Sequence, residues 1–246
     1  MKNRMIRLML ASLLVAVLPL AGCVSIGPIG AVTPSGKPAI QTYDITGFDS
    51  VDVGSAFQVE IEHFDTFRVA VTADDNLFGN IVVEKVNGTL RISTKSVSIL
   101  GRPTLQASIS IPDLHGLTLS GAANCTLTDV TSAGDVSLNL SGASAVGGKL
   151  TTTGKISVIS SGAAQCVFKG SASGDGSIDC SGASFLDLSG FTMKNAKVTL
   201  SGASRATVNA SDKLDIDLSG GSRLRYLGTP NINIVNVSGG STVEKG

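Results

Sequence analysis

From Leu117 onward, apolar and polar residues alternate with period 2 in short blocks that return about every 20 residues. The blocks align on a tripeptide, Ser-Gly-Ala or Ser-Gly-Gly, that begins at Ser120, Ser141, Ser161, Ser181, Ser201, Ser219 and Ser238. Three residues before the Ser stand Leu117, Leu138, Val158, Ile178, Val198, Ile216 and Val235; one before it stand Leu119, Leu140, Ser160, Cys180, Leu200, Leu218 and Val237. The position between these two holds Thr118, Asn139, Ile159, Asp179, Thr199, Asp217 and Asn236. That alternation predicts a strand with one buried face in every repeat. A second apolar column follows five residues after the Ser: Cys125, Val146, Cys166, Leu186, Ala206, Leu224 and Val243. The tripeptide therefore lies at a corner between two strands.

A period near 20 marks a solenoid, whose repeats cannot bury their own apolar faces and must stack. Twenty residues suit three short strands and three bends, each strand pairing in parallel with its counterpart one rung away. The expected architecture is an all-β parallel β-helix, right-handed as crossovers between parallel strands usually are. Rungs about 4.8 Å apart give the seven corners roughly 29 Å of rise. No sustained 3.6-residue apolar pattern predicts a helix in the repeats. At the corner, Gly can adopt positive φ, Ala or Gly keeps the bend narrow, and Ser can bond to nearby backbone. A competing reading makes the stacked Ser hydroxyls a ligand-binding stripe.

Upstream, residues 43–111 read as degenerate rungs of the same helix. Val51-Asp52-Val53-Gly54-Ser55-Ala56-Phe57-Gln58-Val59 repeats the strand–corner–strand pattern with Gly and Ser exchanged, and Asn87-Gly88 signals a turn. Phe48, Phe57, Phe64, Phe67 and Phe78 are expected to plug the N-terminal end against edge pairing. The C-terminal end, Val243-Glu244-Lys245-Gly246, shows no comparable cap, which leaves that edge open to self-association.

The first 22 residues are expected to lie outside the fold. Lys2, Arg4 and Arg7 precede an uncharged apolar run, residues 8–20, too short to span a bilayer comfortably; the pattern is a secretory signal. It ends in Leu20-Ala21-Gly22-Cys23, which resembles a bacterial lipobox with Cys23 as the lipidated mature N-terminus. Val24, rather than Asp, after the cysteine favours the outer membrane by analogy with Gram-negative lipoproteins. Residues 23–41, rich in Gly, Pro and Ser, read as a flexible tether, and residues 42–246 as one β-helix domain, degenerate to 111 and regular from 112. Without the three basic signal residues the chain has 16 basic and 19 acidic residues, a net charge of −3, and no basic patch suited to nucleic acid.

The ordered set Gly47-Phe48-Asp49-Ser50-Val51, Phe57-Gln58-Val59-Glu60-Ile61, Asp75-Asn76-Leu77, Asn87-Gly88-Thr89-Leu90-Arg91-Ile92 and the Leu-Ser-Gly-Ala-Ser repeats at Leu140 and Leu200 is similar to a known bacterial family, the putative auto-transporter adhesin, head GIN domain. The resemblance runs over nearly all of residues 45–244. It implies a secreted or surface-anchored β-helical domain with an adhesive role, and brings no catalytic residues.

Candidate chemistry is sparse. Asp113-Leu114-His115 with one of many Ser could form a hydrolase triad, but no nucleophile-elbow motif accompanies it, and a surface His is the simpler expectation. Cys125 and Cys166 share a column two rungs apart, near 9.6 Å, beyond the roughly 7 Å Cα limit for a disulfide. Cys180 belongs to another column, and all three read as small buried apolar residues, with a Cys166–Cys180 bond left open. No spacing points to a metal or cofactor. A polysaccharide lyase or hydrolase is the rival to a binding module. Its carboxylates would come from Asp175, Asp179 and Asp187 or from Asp212, Asp215 and Asp217, yet Asp179 and Asp217 stand two rungs apart with Thr199 between them. The expectation is a non-enzymatic envelope lipoprotein whose partners are the membrane, through Cys23, and an envelope glycan or surface protein.

Overall fold

The computed structural model describes residues 31–246, and they form a parallel β-solenoid of about six turns with rungs of ~20 residues. Seven strands make the N-terminal part: β1 (Pro38–Tyr43), β2 (Ser50–Val53), β3 (Gln58–His63), β4 (Arg68–Asp74), β5 (Ile81–Val86), β6 (Thr89–Thr94) and β7 (Leu105–Ile111). A 3-10 turn, Asp75–Asn80, joins β4 to β5. The regular repeats begin with β8 (Gly116–Leu119), β9 (Asn124–Ser132), β10 (Val136–Leu140), β11 (Ala145–Thr152), β12 (Ile156–Ser160), β13 (Gln165–Ala172) and β14 (Gly176–Cys180). They end with β15 (Phe185–Leu200), β16 (Arg205–Leu218), β17 (Arg223–Leu227), β18 (Asn231–Val237) and β19 (Thr242–Lys245).

Strands that precede the Ser-Gly corner stack in parallel as a first side: β8, β10, β12, β14, the ends of β15 and β16, and β18. Strands that follow the corner form a second side: β9, β11, β13, the starts of β15 and β16, β17 and β19. The third side arises inside the longer strands. In β9, Leu127 and Val130 are both buried while Thr128 and Asp129 both face outward, and Asp129 takes φ 50°. The expected columns are the core. Leu138 lies in register between Leu117 and Val158, and all three are at most 1% exposed. Burying each such side chain stabilises the fold by roughly 1.5–3 kcal/mol.

The corner is held by main chain. Ser141 N–H donates to Leu119 O (2.9 Å), Ala143 N–H to Gly121 O (2.7 Å) and Ala145 N–H to Ala123 O (2.9 Å), so the ladder passes through the bend unbroken. The next rungs repeat it, with Ala163 N–H on Gly142 O and Ala183 N–H on Gly162 O. Gly142 and Gly162 have φ of 71° and 74°, and a Cβ on either would stand 2.6 Å from the glycine carbonyl one rung before. Glycine is thus required twice, by conformation and by the neighbour that must approach. The corner Ser hydroxyls turn back to this backbone: Ser141 Oγ donates to Leu119 O and Ser161 Oγ to Leu140 O, both at 3.4 Å. At these corners the bonds to backbone account for Ser without a ligand. In the earliest corner Ser55 takes the glycine's place at φ 67°, and its Oγ lies 2.8 Å from Thr94 Oγ1.

One inward column escaped the sequence analysis. The residue after the tripeptide, Ala123, Ser144, Ala164, Ser184, Ser204 and Ser222, is buried in every rung but the last, where Ser241 is half-buried. Its hydroxyls are satisfied locally; Ser184 Oγ donates to Ser181 O and Ser204 Oγ to Ser201 O at 2.7 Å. Ser160 differs. It sits between Leu140 and Cys180, and its buried Oγ has no partner.

The N-terminal region departs from the expected simple stack. The pair β2–β3 is a rung, but it lies between β6–β7 and β8–β9, so chain order and stacking order differ. The end is closed by antiparallel strands: β5 on β6, and β4 on β7 with β1 on β4. Reversed strands stop a parallel stack from growing further in register. The phenylalanine plug is only partly as expected. Phe48 and Phe67 pack at 4.9 Å between ring centroids and Phe57 is buried, but Phe64 is 58% exposed. The flexible tether expected over residues 23–41 is not what the described part shows, because Val32 bridges Ile99 and Pro38–Tyr43 is strand β1; residues 23–30 lie outside the described residues. A Gly/Pro-rich composition concealed a strand that gains its partner, β4, only from tertiary structure.

Gly162→Ala is expected to lose ~2 kcal/mol, since positive φ alone costs an L-residue roughly 1–2 kcal/mol and a carbonyl occupies the Cβ position. Ser160→Ala, which removes a buried unpartnered hydroxyl, should instead gain about 1 kcal/mol. Urea midpoints of the two variants read both effects. Equal midpoints for Gly162→Ala and the parent would contradict the corner ladder.

Candidate binding surface

The outward residues of the second side form two rows along the stack. One runs Gln106, Gln58, Asn124, Ala145, Gln165, Phe185, Arg205, Arg223, Thr242. The other runs Ser108, Glu60, Thr126, Gly147, Val167, Asp187, Thr207, Arg225, Glu244. Each step along a row is one rung, about 4.8 Å. Period-2 alternation puts these side chains outside because their neighbours in sequence fill the core.

At the N-terminal end the rows enter a concavity of about 660 Å³, walled by β4 through Thr72 and lined by Gln58, Glu60, Gln106, Ser108, Asn124 and Thr126. That volume falls in the usual range for ligand sites. Thr128 Oγ1 donates to Glu60 Oε1 (3.0 Å) and Ser110 Oγ to Glu62 Oε1 (2.9 Å), which fixes both carboxylates. Among the described residues the carboxamides of Gln58, Gln106 and Asn124 bond to no protein group, leaving each with two donors and an acceptor for a ligand.

A second concavity, about 510 Å³, runs along the turns into the first side, past His115, Asp135, Lys155 and Asp175 to Ser137, Ser157 and Lys197. Its two carboxylates staple the turns. Asp135 Oδ1 accepts the Lys155 N–H (2.8 Å), and Asp175 Oδ1 accepts from Asn195 Nδ2 (2.7 Å).

The Asp113–His115 pair forms, with Nε2 at 3.1 Å from Asp113 Oδ2, but it is no triad. Nδ1 lies 3.1 Å from Asp135 O, so both ring nitrogens are taken and no Ser hydroxyl reaches either. Asp113 Oδ1 accepts the Ala133 N–H (3.2 Å). Burial opposes its charge, but hydrogen bonds from Ser132 and Ala133 and the nearby His115 outweigh that, and its pKa lies below the ordinary 3.8. The pair is a clasp between rungs.

Cys125, Cys166 and Cys180 are free and buried. Burial pushes the Cys180 thiol up to about 12, with the Asp179 carboxylate adding to the shift, and burial also raises Cys125 and Cys166. Neutral thiols are poor nucleophiles. Of the first group weighed for glycan cleavage, Asp175 lies at a turn, Asp179 on the first side and Asp187 on the second; of the other, Asp215 and Asp217 stand two residues apart on β16 and line one concavity of about 240 Å³ with Lys197. Thr199 separates Asp179 from Asp217 in register. No group of three or more His, Cys, Asp or Glu among the described residues could hold a metal ion. Cys23 lies outside the described residues.

Part of the outward rows is apolar, which the sequence pattern did not single out. Phe185 and Val167 are 43% and 44% exposed. The signal was available, because both occupy outward positions of the repeat.

Because the folded-state pKa of Asp113 is depressed, its contribution to stability is present above the unfolded carboxylate range and disappears as pH falls through the folded value. Asp113→Asn should therefore lower the urea midpoint at pH 7, and the difference from the parent should shrink below about pH 4. A difference constant from pH 7 to pH 3 would exclude the clasp.

Solved structures share this fold. A putative adhesin from Bacteroides fragilis is 20% identical, with TM-score 0.81, over 87% of this chain and 99% of its own. A putative lipid binding protein from Parabacteroides distasonis (21% identical, TM-score 0.63, 87% of this chain and 99% of its own) and a putative adhesin from Parabacteroides merdae (18%, 0.63, 88% and 99%) are similar too. At such identities the likeness is one of fold. No curated protein matches the chain. The model of one family covers residues 47–230, well over half the sequence, and the chain belongs to that family, described as putative auto-transporter adhesin, head GIN domain.

Proposed function

We propose that the protein is a non-enzymatic binding module of the cell envelope, anchored in the outer membrane by lipid on Cys23 and acting in adhesion or envelope interaction. The observation that carries this reading is the second side: a ladder whose exposed rows hold the free amides of Gln58, Gln106 and Asn124, hydroxyls and guanidinium groups, with the carboxylates of Glu60 and Glu62 each tied to a hydroxyl. Such a face binds polar polymers or protein surfaces without a step of bond cleavage. The adhesin family agrees with it and with a surface or envelope location.

The polysaccharide-cleaving alternative needs two carboxylates on one site at matched separation. On the second side Glu60 and Glu62 stand two residues apart on β3, but each carboxylate is held by a hydroxyl, Thr128 Oγ1 and Ser110 Oγ; Asp187 and Glu244 lie in the Glu60 row, three or more rungs from the next acid. For the anchor, the apolar run before Cys23 and the small residues Ala21 and Gly22 are the support. Attachment is assigned to acyl chains on Cys23; no helix among the described residues is long and apolar enough to cross a membrane. Self-association belongs to the same proposal. In the last rung Val235 and Val237 are 55% and 43% exposed, where Ile216 and Leu218 one rung earlier are at 1%.

In cells, Cys23→Ser should move the protein from the membrane pellet to the soluble fraction, and mass spectrometry of the parent's N-terminus should find an acylated Cys23. The immobilised mature protein should retain envelope material intact. New reducing ends or unsaturated products released from retained glycan would overturn the non-enzymatic reading.

A further inference from the structure

Beyond the groove, the character of the second side changes. Phe185, Arg205 and Arg223 follow one another in the same row, in consecutive rungs. Arg225 stands in the adjacent row beyond Thr207. The three arginines are exposed. Among the described residues their only ion pair is a long one, Arg223 Nε to Glu244 Oε1 at 3.9 Å. Like charges directly opposite one another on paired strands destabilise a sheet. Here Arg205 and Arg223 are such a pair; Glu244, in register with Arg225 and 3.9 Å from Arg223, offsets one of the three charges and leaves Arg205 with no ion pair among the described residues. An anion lying across them would relieve that repulsion.

We propose that Phe185, Arg205, Arg223 and Arg225 form a subsite for an acidic glycan, a sugar polymer bearing carboxylate or phosphate groups. The proposal rests on the second side being the binding surface and names its ligand. Guanidinium groups grip carboxylate and phosphate through two parallel N–H bonds, a geometry lysine cannot supply. Phe185 and Val167 add exposed apolar surface one and two rungs before Arg205, suited to the C–H face of a sugar ring. Gln165 and Thr207 flank them with groups that pair with hydroxyls. A protein partner fits less well. The strands here are paired on both edges, so none can accept an added strand. Two half-exposed apolar side chains are also too few for the apolar centre of a protein interface.

The test uses the mature chain with polygalacturonate and phosphomannan as acidic probes, dextran as the neutral one, and polyglutamate and phosphatidylglycerol vesicles as other anions. At least one acidic glycan should bind, more weakly as salt rises, and dextran should not. The triple variant Arg205→Gln, Arg223→Gln, Arg225→Gln should raise Kd at least about tenfold. Phe185→Ser should raise it severalfold, and the corresponding triple Arg→Lys variant should recover only part of the loss. All four positions are surface sites, and an unchanged urea midpoint will show that the variants fold. Binding of neither acidic glycan, or binding that the arginine variant leaves intact, overturns the proposal. So does equal binding of polyglutamate, which would make charge alone sufficient, or binding of vesicles in place of glycans. If the arginine variant still retains envelope material while Gln58→Ala/Gln106→Ala/Asn124→Ala does not, the binding-module reading stands and the subsite lies in the groove.

Discussion

Each turn of this chain must place the carbonyl of its corner glycine where the next turn's corner can reach it. Gly121 O, Gly142 O, Gly162 O and Gly182 O each receive an N–H from the following rung, and each occupies the space a Cβ would fill on the next glycine. Once corners coincide, the flanking strands fall into parallel register, and the same inward position meets itself from rung to rung. Leu or Ile above Val or Leu then packs without adjusting the backbone. The repeat length follows from the same demand. The step from Ser201 to Ser219 drops to 18 residues, and β16 absorbs the deficit on the third side with register shifts while the corner hydrogen bonds stay in place. Slack is taken up away from the corner.

A solenoid built this way has two ends, and an open parallel rung is an invitation to further pairing. The N-terminal region answers by reversing direction. β5 lies antiparallel on β6, and β1 and β4 lie antiparallel beyond β7, so the outermost strands at that end no longer match the geometry of another parallel rung. Inserting β2–β3 inside β6–β7 has a further consequence. The chain crosses the cap twice, which ties residues far apart in sequence, such as Ser55 and Thr94, into one corner. The same excursion of β4 builds the wall of the groove. Capping and the groove therefore share one origin.

The regular rungs were legible because the constraint acts on every turn alike: a column such as Leu117, Leu138, Val158 repeats the same choice often enough to rise above the tolerance of any single site. What was not legible lies where that repetition fails. β4 and β5 read as ordinary alternating strands, and nothing in Arg68–Asp74 says whether a strand pairs in parallel or in reverse; that is decided by the connection and by which edge is free. Phe64 carries the same composition signal as Phe57, but it falls just past the end of β3 and faces water. The buried Ser column was hidden by chemistry, since Ser144 and Ser204 look polar until their hydroxyls are seen bonded to backbone. The groove was beyond reach because Thr72 meets Gln106 only through that reversed strand.

The outward rows obey a different logic from the inward columns. Inward positions are held to apolar or small residues by packing, and the corner is held to Ser-Gly-Ala by hydrogen bonding and space. Only the outward positions are free to vary without disturbing the stack, and there the rungs differ most: amides, then small and apolar residues, then arginines along a single row. A rigid ladder makes such a row a fixed series of contacts at rung spacing, so a polymer that lies along it meets a defined order of groups with little ordering cost on the protein side. Recognition by this fold is then written in the sequence of side chains along the stack, and the backbone serves as the ruler.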